Sequence, residues 1–266
     1  MRLLVLGSGT CLGTPPGALE RQPPLFLLEW PGGSVLFDCS EGARLRLARA
    51  GVDPVSLHHV AVSHPHADHA ALPPFLQSRS CEAVHRGRAE PLHLYLPRPS
   101  ADALPSLLRF HQPEDGGALP SRYPFFLHGL EDGERVAIED AVLSAHAVHH
   151  GHGQNPALAL RLEGPSFVFT YSGDTGLCDG LRAAAQGADL FVCEAASRIG
   201  VDMAHDYGHL TPAQAGAVAL SAGAKRLLLT HHTGLDLDDA MLEDARSSGY
   251  RGELRVAHDG DVWELE

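Results

Sequence analysis

Short apolar runs typical of β-strands alternate with helical patterns along this 266-residue sequence, and no composition change marks a linker. Alternating strands and helices predict an α/β fold, because the helices can cover the faces of a sheet. Strands are predicted at Leu3–Leu6, Leu25–Glu29, Ser34–Phe37, His58–Val62, Leu92–Leu96, Ala141–Val148, Ala157–Leu162, Phe167–Thr170, Leu190–Cys193, Arg226–Leu229 and Leu254–Ala257. Helices are predicted at Ala43–Ala50, His69–Ser78, Ala101–Phe110, Leu177–Ala185, Pro212–Ala222 and Asp238–Ser247. Residues 111–124, rich in Pro, Gly and acidic side chains, predict an exposed loop.

Charge and hydropathy argue against two classes of protein. Acidic residues outnumber basic ones by 33 to 20, a net charge of −13, which disfavours binding of long nucleic acid through a basic face. No apolar run is long enough to span a bilayer, so no membrane partner is expected. Residues 1–7 predict a first strand rather than a signal peptide. Five scattered cysteines without a CxxC pair favour a reducing, cytoplasmic location.

Polar side chains follow several of the predicted strands at the point where each strand ends. These residues are His64, Asp174, Glu194 and His231. Because α/β sheets assemble their sites at strand ends, we expect these side chains to converge.

The densest group of candidate ligands lies in the segment Ser63–His69, which places four of them within six residues at a strand-to-helix turn. Imidazole and carboxylate groups bind zinc. Three histidines and one aspartate exceed what a single ion needs. The segment therefore predicts a pair of ions, with His64 and His66 on one ion and Asp68 and His69 on the other.

This His-x-His-x-Asp-His segment resembles the hallmark of the metallo-β-lactamase superfamily, and further segments resemble its ribonuclease Z-like branch. They follow the order of that family along most of the chain. The matching segments are Leu6–Thr10 with Gly13–Pro15, Phe37–Gly42, Tyr171–Thr175, Cys193–Ala196, Gly208–Thr211 and Leu229–His231.

The resemblance implies a fold and a cofactor. The fold is an αβ/βα four-layer sandwich, formed by residues 1–266 as one hydrolase domain. The cofactor is a pair of divalent metal ions, zinc by preference, with manganese or iron also acceptable to nitrogen and oxygen ligands. The implied ligands are His64, His66, Asp68, His69, His150, Asp174 as the bridging residue, and His231.

Two of these ligands have an alternative beside them. His150 is preferred to His149 because it precedes Gly151 and ends the apolar run Val142–Val148. His231 is preferred to His232 because it stands at the strand end.

The resemblance also assigns catalytic roles. Asp68 both binds metal and orients the attacking hydroxide generated at the metal pair. Glu194 holds one nitrogen of His209, and His209 then assists the leaving group.

The expected substrate is a small phosphodiester. Members that process tRNA carry a long arm before the bridging aspartate, but this chain has only the short interval Arg161–Gly173 there. We therefore predict a phosphodiesterase acting on small or cyclic nucleotides or short RNA. The alternatives are a ribonuclease Z-type tRNA 3′ endonuclease, a carbon-centred hydrolase such as a lactonase, thioesterase or β-lactamase, and a non-catalytic metal-binding scaffold. The resemblance also allows a homodimer.

Overall fold

The computed structural model describes residues 1–11, 21–111, 122–201 and 207–265. The turn quoted at Gly13–Pro15 and residues 112–121 of the expected loop lie outside these ranges.

Fourteen strands and six helices form in the described residues. The strands are β1 (Arg2–Gly7), β2 (Leu25–Trp30), β3 (Gly33–Phe37), β4 (His59–Ala61), β5 (Leu92–Pro97), β6 (Phe125–Leu130), β7 (Arg135–Ile138), β8 (Ala141–Ala147), β9 (Leu158–Glu163), β10 (Val168–Tyr171), β11 (Leu190–Glu194), β12 (Arg226–Thr230), β13 (Glu253–Val256) and β14 (Val262–Glu264). The helices are α1 (Ala43–Arg49), α2 (Leu72–Arg86), α3 (Arg98–His111), α4 (Asp179–Ala185), α5 (Pro212–Ala222) and α6 (Asp238–Ser247). No helix of the described residues combines the length and apolarity needed to cross a bilayer.

The strands build two sheets of matching design. The first has the order β14-β1-β2-β3-β4-β5-β6 and the second β13-β12-β11-β10-β9-β8-β7. In the first sheet the neighbouring pairs from β14 to β3 are antiparallel and those from β3 to β6 are parallel. In the second sheet the neighbouring pairs from β13 to β10 are parallel and those from β10 to β7 are antiparallel. The parallel strands β3 and β4 of the first sheet and β10, β11 and β12 of the second carry the site at their carboxyl ends.

A core between the two sheets is formed by alternate residues of the strands. Leu3 and Val5 point into it, whereas Leu4 and Leu6 of the same strand belong to the layer between sheet and helices. Phe37 and Phe169 meet across the two sheets with ring centroids 4.8 Å apart. Because strands buried on both faces need apolar side chains at every position, β1 reads as a continuous apolar run.

Helices cover the outer face of each sheet. Helices α1, α2 and α3 pack on the first sheet and α4, α5 and α6 on the second. Helix α5 begins with a capping box, in which the Thr211 hydroxyl and the Gln214 side chain each accept from the other residue's backbone N–H. The layers confirm the predicted αβ/βα four-layer sandwich.

Some element boundaries differ from the prediction. Helix α2 was expected at His69–Ser78 but runs over Leu72–Arg86. Its start is displaced because Ala71 donates to the Cys39 carbonyl and Cys39 donates to the His69 carbonyl, which ties this segment to another strand end. Strands β6, β7 and β14 were not predicted. Among them, β7 is only four residues long and half exposed, so it carries no clear apolar alternation.

Candidate metal centre

All the predicted metal ligands lie together near the carboxyl ends of strands from both sheets. The turn after β4 supplies His64, His66, Asp68 and His69, and the turn after β10 supplies Asp174. His231 follows β12, and His150 comes from the connection between β8 and β9. Their potential ligand atoms fall into two groups, and within each group all atoms lie within 4.8 Å of one another. The groups are His64, His66, His150 and Asp174, and Asp68, His69 and His231. A third group of this kind joins Asp174 and His231 to His209.

The first half of the centre consists of His64, His66 and His150. The Nδ1 atom of His66 lies 3.1 Å from Nε2 of His64 and 3.1 Å from Nε2 of His150. Oδ2 of Asp174 lies 3.7 Å from Nε2 of His64 and 3.8 Å from Nε2 of His150. Three imidazole nitrogens and one carboxylate oxygen therefore surround a single position that suits a cation.

The second half consists of Asp68, His69 and His231. Nε2 of His231 lies 3.4 Å from Nε2 of His69 and 3.5 Å from Oδ2 of Asp68. Oδ1 of Asp174 lies 3.3 Å from Nε2 of His69. Because its two oxygens face different halves, Asp174 stands between them.

These residues fit a pair of divalent cations. Ligands of a tetrahedral zinc ion at 2.0–2.1 Å are separated by about 3.3 Å from one another, and the distances here run from 3.1 to 3.8 Å. Asp174 Oδ1 and His231 Nδ1 are also buried and lie 3.3 Å from each other, but neither atom makes a hydrogen bond of good geometry among the described residues. A buried carboxylate oxygen in that state is costly unless a cation neutralises it.

Hydrogen bonds fix the orientation of three imidazoles. His69 Nδ1 lies 2.7 Å from Oδ2 of Asp38, and His150 Nδ1 donates to the Gly208 carbonyl at 3.0 Å. His64 Nδ1 lies 3.0 Å from the Ser63 hydroxyl. With each Nδ1 occupied, Nε2 is the nitrogen left to bind a metal.

The fourth imidazole, that of His66, is turned the other way. Its Nδ1 faces the first half, and its Nε2 lies 3.1 Å from Nδ2 of the Asn155 amide. With Nδ1 as the ligand atom, Nε2 carries the proton and donates, so the Asn155 amide must present its oxygen there. Asn155 reaches this position because its backbone N–H donates to the His150 carbonyl, closing a tight turn.

Asp38 supports the centre without having been assigned a role from the sequence. It follows β3, is fully buried, and has a φ of 61°, an uncommon conformation for a residue other than glycine. Its carboxylate accepts from the Ser63 backbone N–H at 2.8 Å and from the Tyr171 hydroxyl at 2.6 Å. Burial alone would lower the pKa of His69, but the carboxylates of Asp174 and Asp38 raise that pKa well above its usual value. A charged residue directly after a strand was the available sequence signal.

Glu194 and His209 form a second polar pair beside the centre. His209 Nδ1 lies 2.9 Å from Oε1 of Glu194, which also accepts from the Thr175 backbone N–H. The His209 ring stacks on that of His231, with centroids 5.6 Å apart. Burial alone would lower the pKa of His209, but the Glu194 carboxylate raises it to about 9. A protonated imidazole here can donate to a leaving oxygen.

The alternative histidines lie apart from these groups. His149 belongs to none of them, and its Nε2 is buried without a partner among the described residues. His232 is buried and belongs to none of them, and burial lowers its pKa to about 4. The geometry therefore favours His150 and His231 over their neighbours.

A cavity of about 480 Å³ opens beside the centre. That volume falls within the roughly 300–1,000 Å³ of sites that enclose a small organic molecule. The described residues that line it are Thr10, Cys11, His66, Asp68, Asp174, Ala196, Ser197, Arg198, Val201, Tyr207, His209, His231, Thr233 and Leu235.

Comparison with known proteins gives consistent matches over nearly the whole chain. The family model described as the β-lactamase superfamily domain matches residues 34–232. A Streptomyces avermitilis protein named Ribonuclease Z is 32% identical, covering 97% of this chain and 95% of that protein. A Ribonuclease Z from Methanothermobacter thermautotrophicus is 29% identical, covering 89% of this chain and 90% of that protein.

Solved structures show the same fold. The metallo-β-lactamase fold protein YhfI from Bacillus subtilis superimposes with a TM-score of 0.82 at 22% identity, covering 98% of each chain. The short form of human tRNase Z gives a TM-score of 0.76 at 21% identity, covering 100% of each chain.

Proposed function

This chain belongs to the metallo-β-lactamase superfamily and is a metal-dependent hydrolase of the ribonuclease Z-like branch, and from that premise we propose that it cleaves phosphodiester bonds in small or cyclic nucleotides or short RNA. We assign His64, His66 and His150 to one cation and Asp68, His69 and His231 to the other, with Asp174 between them. The donor set suits zinc, and manganese or iron as well. When bound, the two cations activate water and neutralise charge on the phosphoryl oxygens.

The observation that carries this substrate class is the connection between β9 and β10. Those strands are joined by a four-residue turn, in which Gly164 donates to the Phe167 carbonyl at 2.9 Å. The family resemblance places the tRNA-gripping arm at this point. The alignment with the Streptomyces avermitilis relative spans 292 positions, more than this chain has residues, so that relative carries insertions absent here.

The protein's own side chains supply proton transfers and orientation. Asp68 lines the cavity beside the candidate ligands, where its carboxylate can accept a proton from the attacking water. His209 lines the same cavity and, as the proton donor, gives its proton to the leaving oxygen. Glu194 orients the His209 ring and keeps it protonated. A proton donor at this place favours phosphodiesters, because their alkoxide leaving groups need a proton.

A side-by-side assay tests the proposal. Protein loaded with zinc or manganese is given bis-p-nitrophenyl phosphate, a 2′,3′-cyclic nucleotide, a short RNA, a tRNA precursor, a lactone and a thioester. We expect hydrolysis of the diesters and the small nucleotides. Failure to cleave any diester would overturn the proposal, and preferential cleavage of the lactone or thioester would establish the carbon-centred alternative.

A second candidate is a ribonuclease Z-type tRNA 3′ endonuclease. It is favoured by the name of the relative that is 32% identical over 97% of this chain. In the same assay, cleavage of the precursor at the 3′ end of the tRNA, faster than that of every small diester, would establish this activity.

The assembly and location stay predictions. We expect residues 1–266 to form one hydrolase domain, and the protein to be a cytoplasmic homodimer. Because its net charge is −13, we expect no long nucleic acid as a partner.

A further inference from the structure

We propose that the cavity beside the metal centre is a base subsite, which takes the heterocyclic base of a nucleoside phosphodiester and hydrogen-bonds its edge through the Ser197 hydroxyl. The inference rests on the proposed function, because it places the phosphodiester of that base at the metal centre. It goes further by specifying which part of the substrate the protein recognises and with which residues.

The walls of the cavity differ in chemistry. Three of the lining residues, Asp68, Asp174 and His231, belong to the centre. Three others, Ala196, Val201 and Leu235, are apolar. A molecule that fills the cavity therefore has one anionic end at the metal ions and one apolar body against these side chains.

Two of the apolar side chains are unusually exposed for their type. Val201 is 47% exposed and Leu235 is 50% exposed, both at the cavity. Isolated apolar residues on a surface need no explanation, but two that line the same cavity next to a reactive centre indicate a ligand contact. A planar apolar ring in contact with these two side chains would remove apolar surface from water.

The Tyr207 ring gives the cavity a rigid aromatic wall. It stacks on His209 with centroids 5.4 Å apart and an interplanar angle of 27°, and it meets the His150 ring edge-on at 5.3 Å. Because two rings of the centre hold it in place, Tyr207 can contact a second aromatic ring without losing conformational freedom.

The Ser197 side chain indicates that the ligand carries a hydrogen-bonding group in addition to an apolar surface. The residue is only 3% exposed, and its hydroxyl is buried without a hydrogen-bond partner among the described residues although it lines the cavity. Its backbone N–H donates to the Leu210 carbonyl at 3.0 Å, which fixes its position. A buried hydroxyl needs a partner. The edge of a nucleobase offers donors and acceptors, whereas the acyl chain of a lactone or thioester would leave the hydroxyl unsatisfied.

Arg198 adds a positive charge to this wall. Its guanidinium is 58% exposed and lies 3.9 Å from the Asp236 carboxylate, too far for a hydrogen bond. In a chain of net charge −13, a cation at the cavity favours entry of an anionic nucleotide.

The test compares two diesters with the same leaving group. Thymidine 5′-p-nitrophenyl phosphate carries a nucleoside, and methyl p-nitrophenyl phosphate does not. The quantity measured is the ratio of kcat/KM for the nucleoside substrate to that for the methyl substrate. We expect a ratio above 10 for the metal-loaded wild-type protein, and a fall of at least fivefold in that ratio for Leu235→Ser and for Ser197→Ala, mainly through KM.

Leu237→Ser is the matched control. Leu237 is 79% exposed two residues from Leu235 but does not line the cavity, so its substitution should leave the ratio unchanged. Ser197→Ala removes a hydroxyl that has no hydrogen-bond partner in the part of the chain that the structure describes, so the Tm of this variant should not fall. An unchanged Tm separates a lost ligand contact from misfolding.

Binding without turnover separates this inference from the proposed function. We expect thymidine 5′-monophosphate to bind the metal-loaded protein at least tenfold more tightly than methyl phosphate by calorimetry, and Leu235→Ser to abolish most of that difference. Equal affinities, or a wild-type ratio near 1, would overturn the subsite while leaving the hydrolase intact. Tight binding of the nucleotide by a protein that cleaves no diester would support the subsite and overturn the proposed function.

Discussion

The two halves of the metal centre differ in what holds their imidazoles. In the first half, neutral groups hold the outer nitrogens, namely the Ser63 hydroxyl, the Gly208 carbonyl and the Asn155 amide. In the second half, the carboxylate of Asp38 holds His69, and Asp68 brings a further carboxylate. Carboxylates favour a bound cation more than neutral dipoles do. We therefore expect the second half to bind its cation more tightly than the first.

Asp174→Ala removes the carboxylate that faces both halves and should have the largest effect. Both cations should be lost, and diester hydrolysis should fall on the order of 10³-fold, because charge at the phosphoryl group is no longer neutralised. Metal content by elemental analysis and the rate with bis-p-nitrophenyl phosphate check this. Asp189→Ala, which removes a carboxylate paired with Lys225, is the control. A variant retaining both ions would refute the bridging assignment.

His209→Ala should slow catalysis without changing either half. The loss of a general acid lowers kcat by about 10²–10⁴-fold for an alkoxide leaving group. The effect should be much smaller for a p-nitrophenolate leaving group, which needs no proton. Stopped assays with a cyclic nucleotide and with a p-nitrophenyl diester provide the comparison. Loss of metal together with activity would make His209 a ligand instead.

Asp38→Asn should weaken the second half selectively. Replacing the carboxylate that orients His69 lowers metal affinity by about 10–100-fold. The smaller of the two metal dissociation constants should therefore rise toward the larger one. Competition with a chelator measures both constants. Asp140→Asn, which changes a carboxylate bonded to Trp30, is the control, and equal weakening of both steps would contradict the comparison.

Asn155→Leu should produce the smallest effect, confined to the first half. A neutral hydrogen bond is worth about 1 kcal/mol, so the weaker metal-binding constant should change about fivefold while the tighter one stays the same. Asn155→Asp keeps an acceptor for His66 Nε2 and should restore affinity. If both variants bind metal as the wild type does, Asn155 does not position His66.

Sequence signals correctly predicted the helices whose ends are determined by residues adjacent to them in the chain. Helix α5 was placed correctly because Thr211-Pro212 begins it and Gly223, in a left-handed conformation, ends it. Helix α2 was placed wrongly at its start because bonds to Cys39, distant in sequence, hold the preceding residues out of the helix.

The candidate site divides in the same way. The segment Ser63–His69 could be recognised because its ligands stand together directly after a strand, and their spacing alone predicts their grouping. Asp38, Asn155 and Ser197 carry no such pattern. Their roles depend on contacts with His69, His66 and a cavity wall, which exist only after separate loops meet.

The sequence by itself determined an α/β fold and the segments that carry the candidate ligands, because apolar periodicity and strand-end histidines are local properties, and its resemblance to a known family implied the sandwich of two sheets. Only the tertiary structure brought His150 rather than His149 to the centre, turned His66 to present Nδ1, and left the Ser197 hydroxyl buried at the cavity. These features depend on which side chains from distant strands come within about 3 Å of one another, the range of hydrogen bonds and ligand contacts, and no spacing along the chain specifies that.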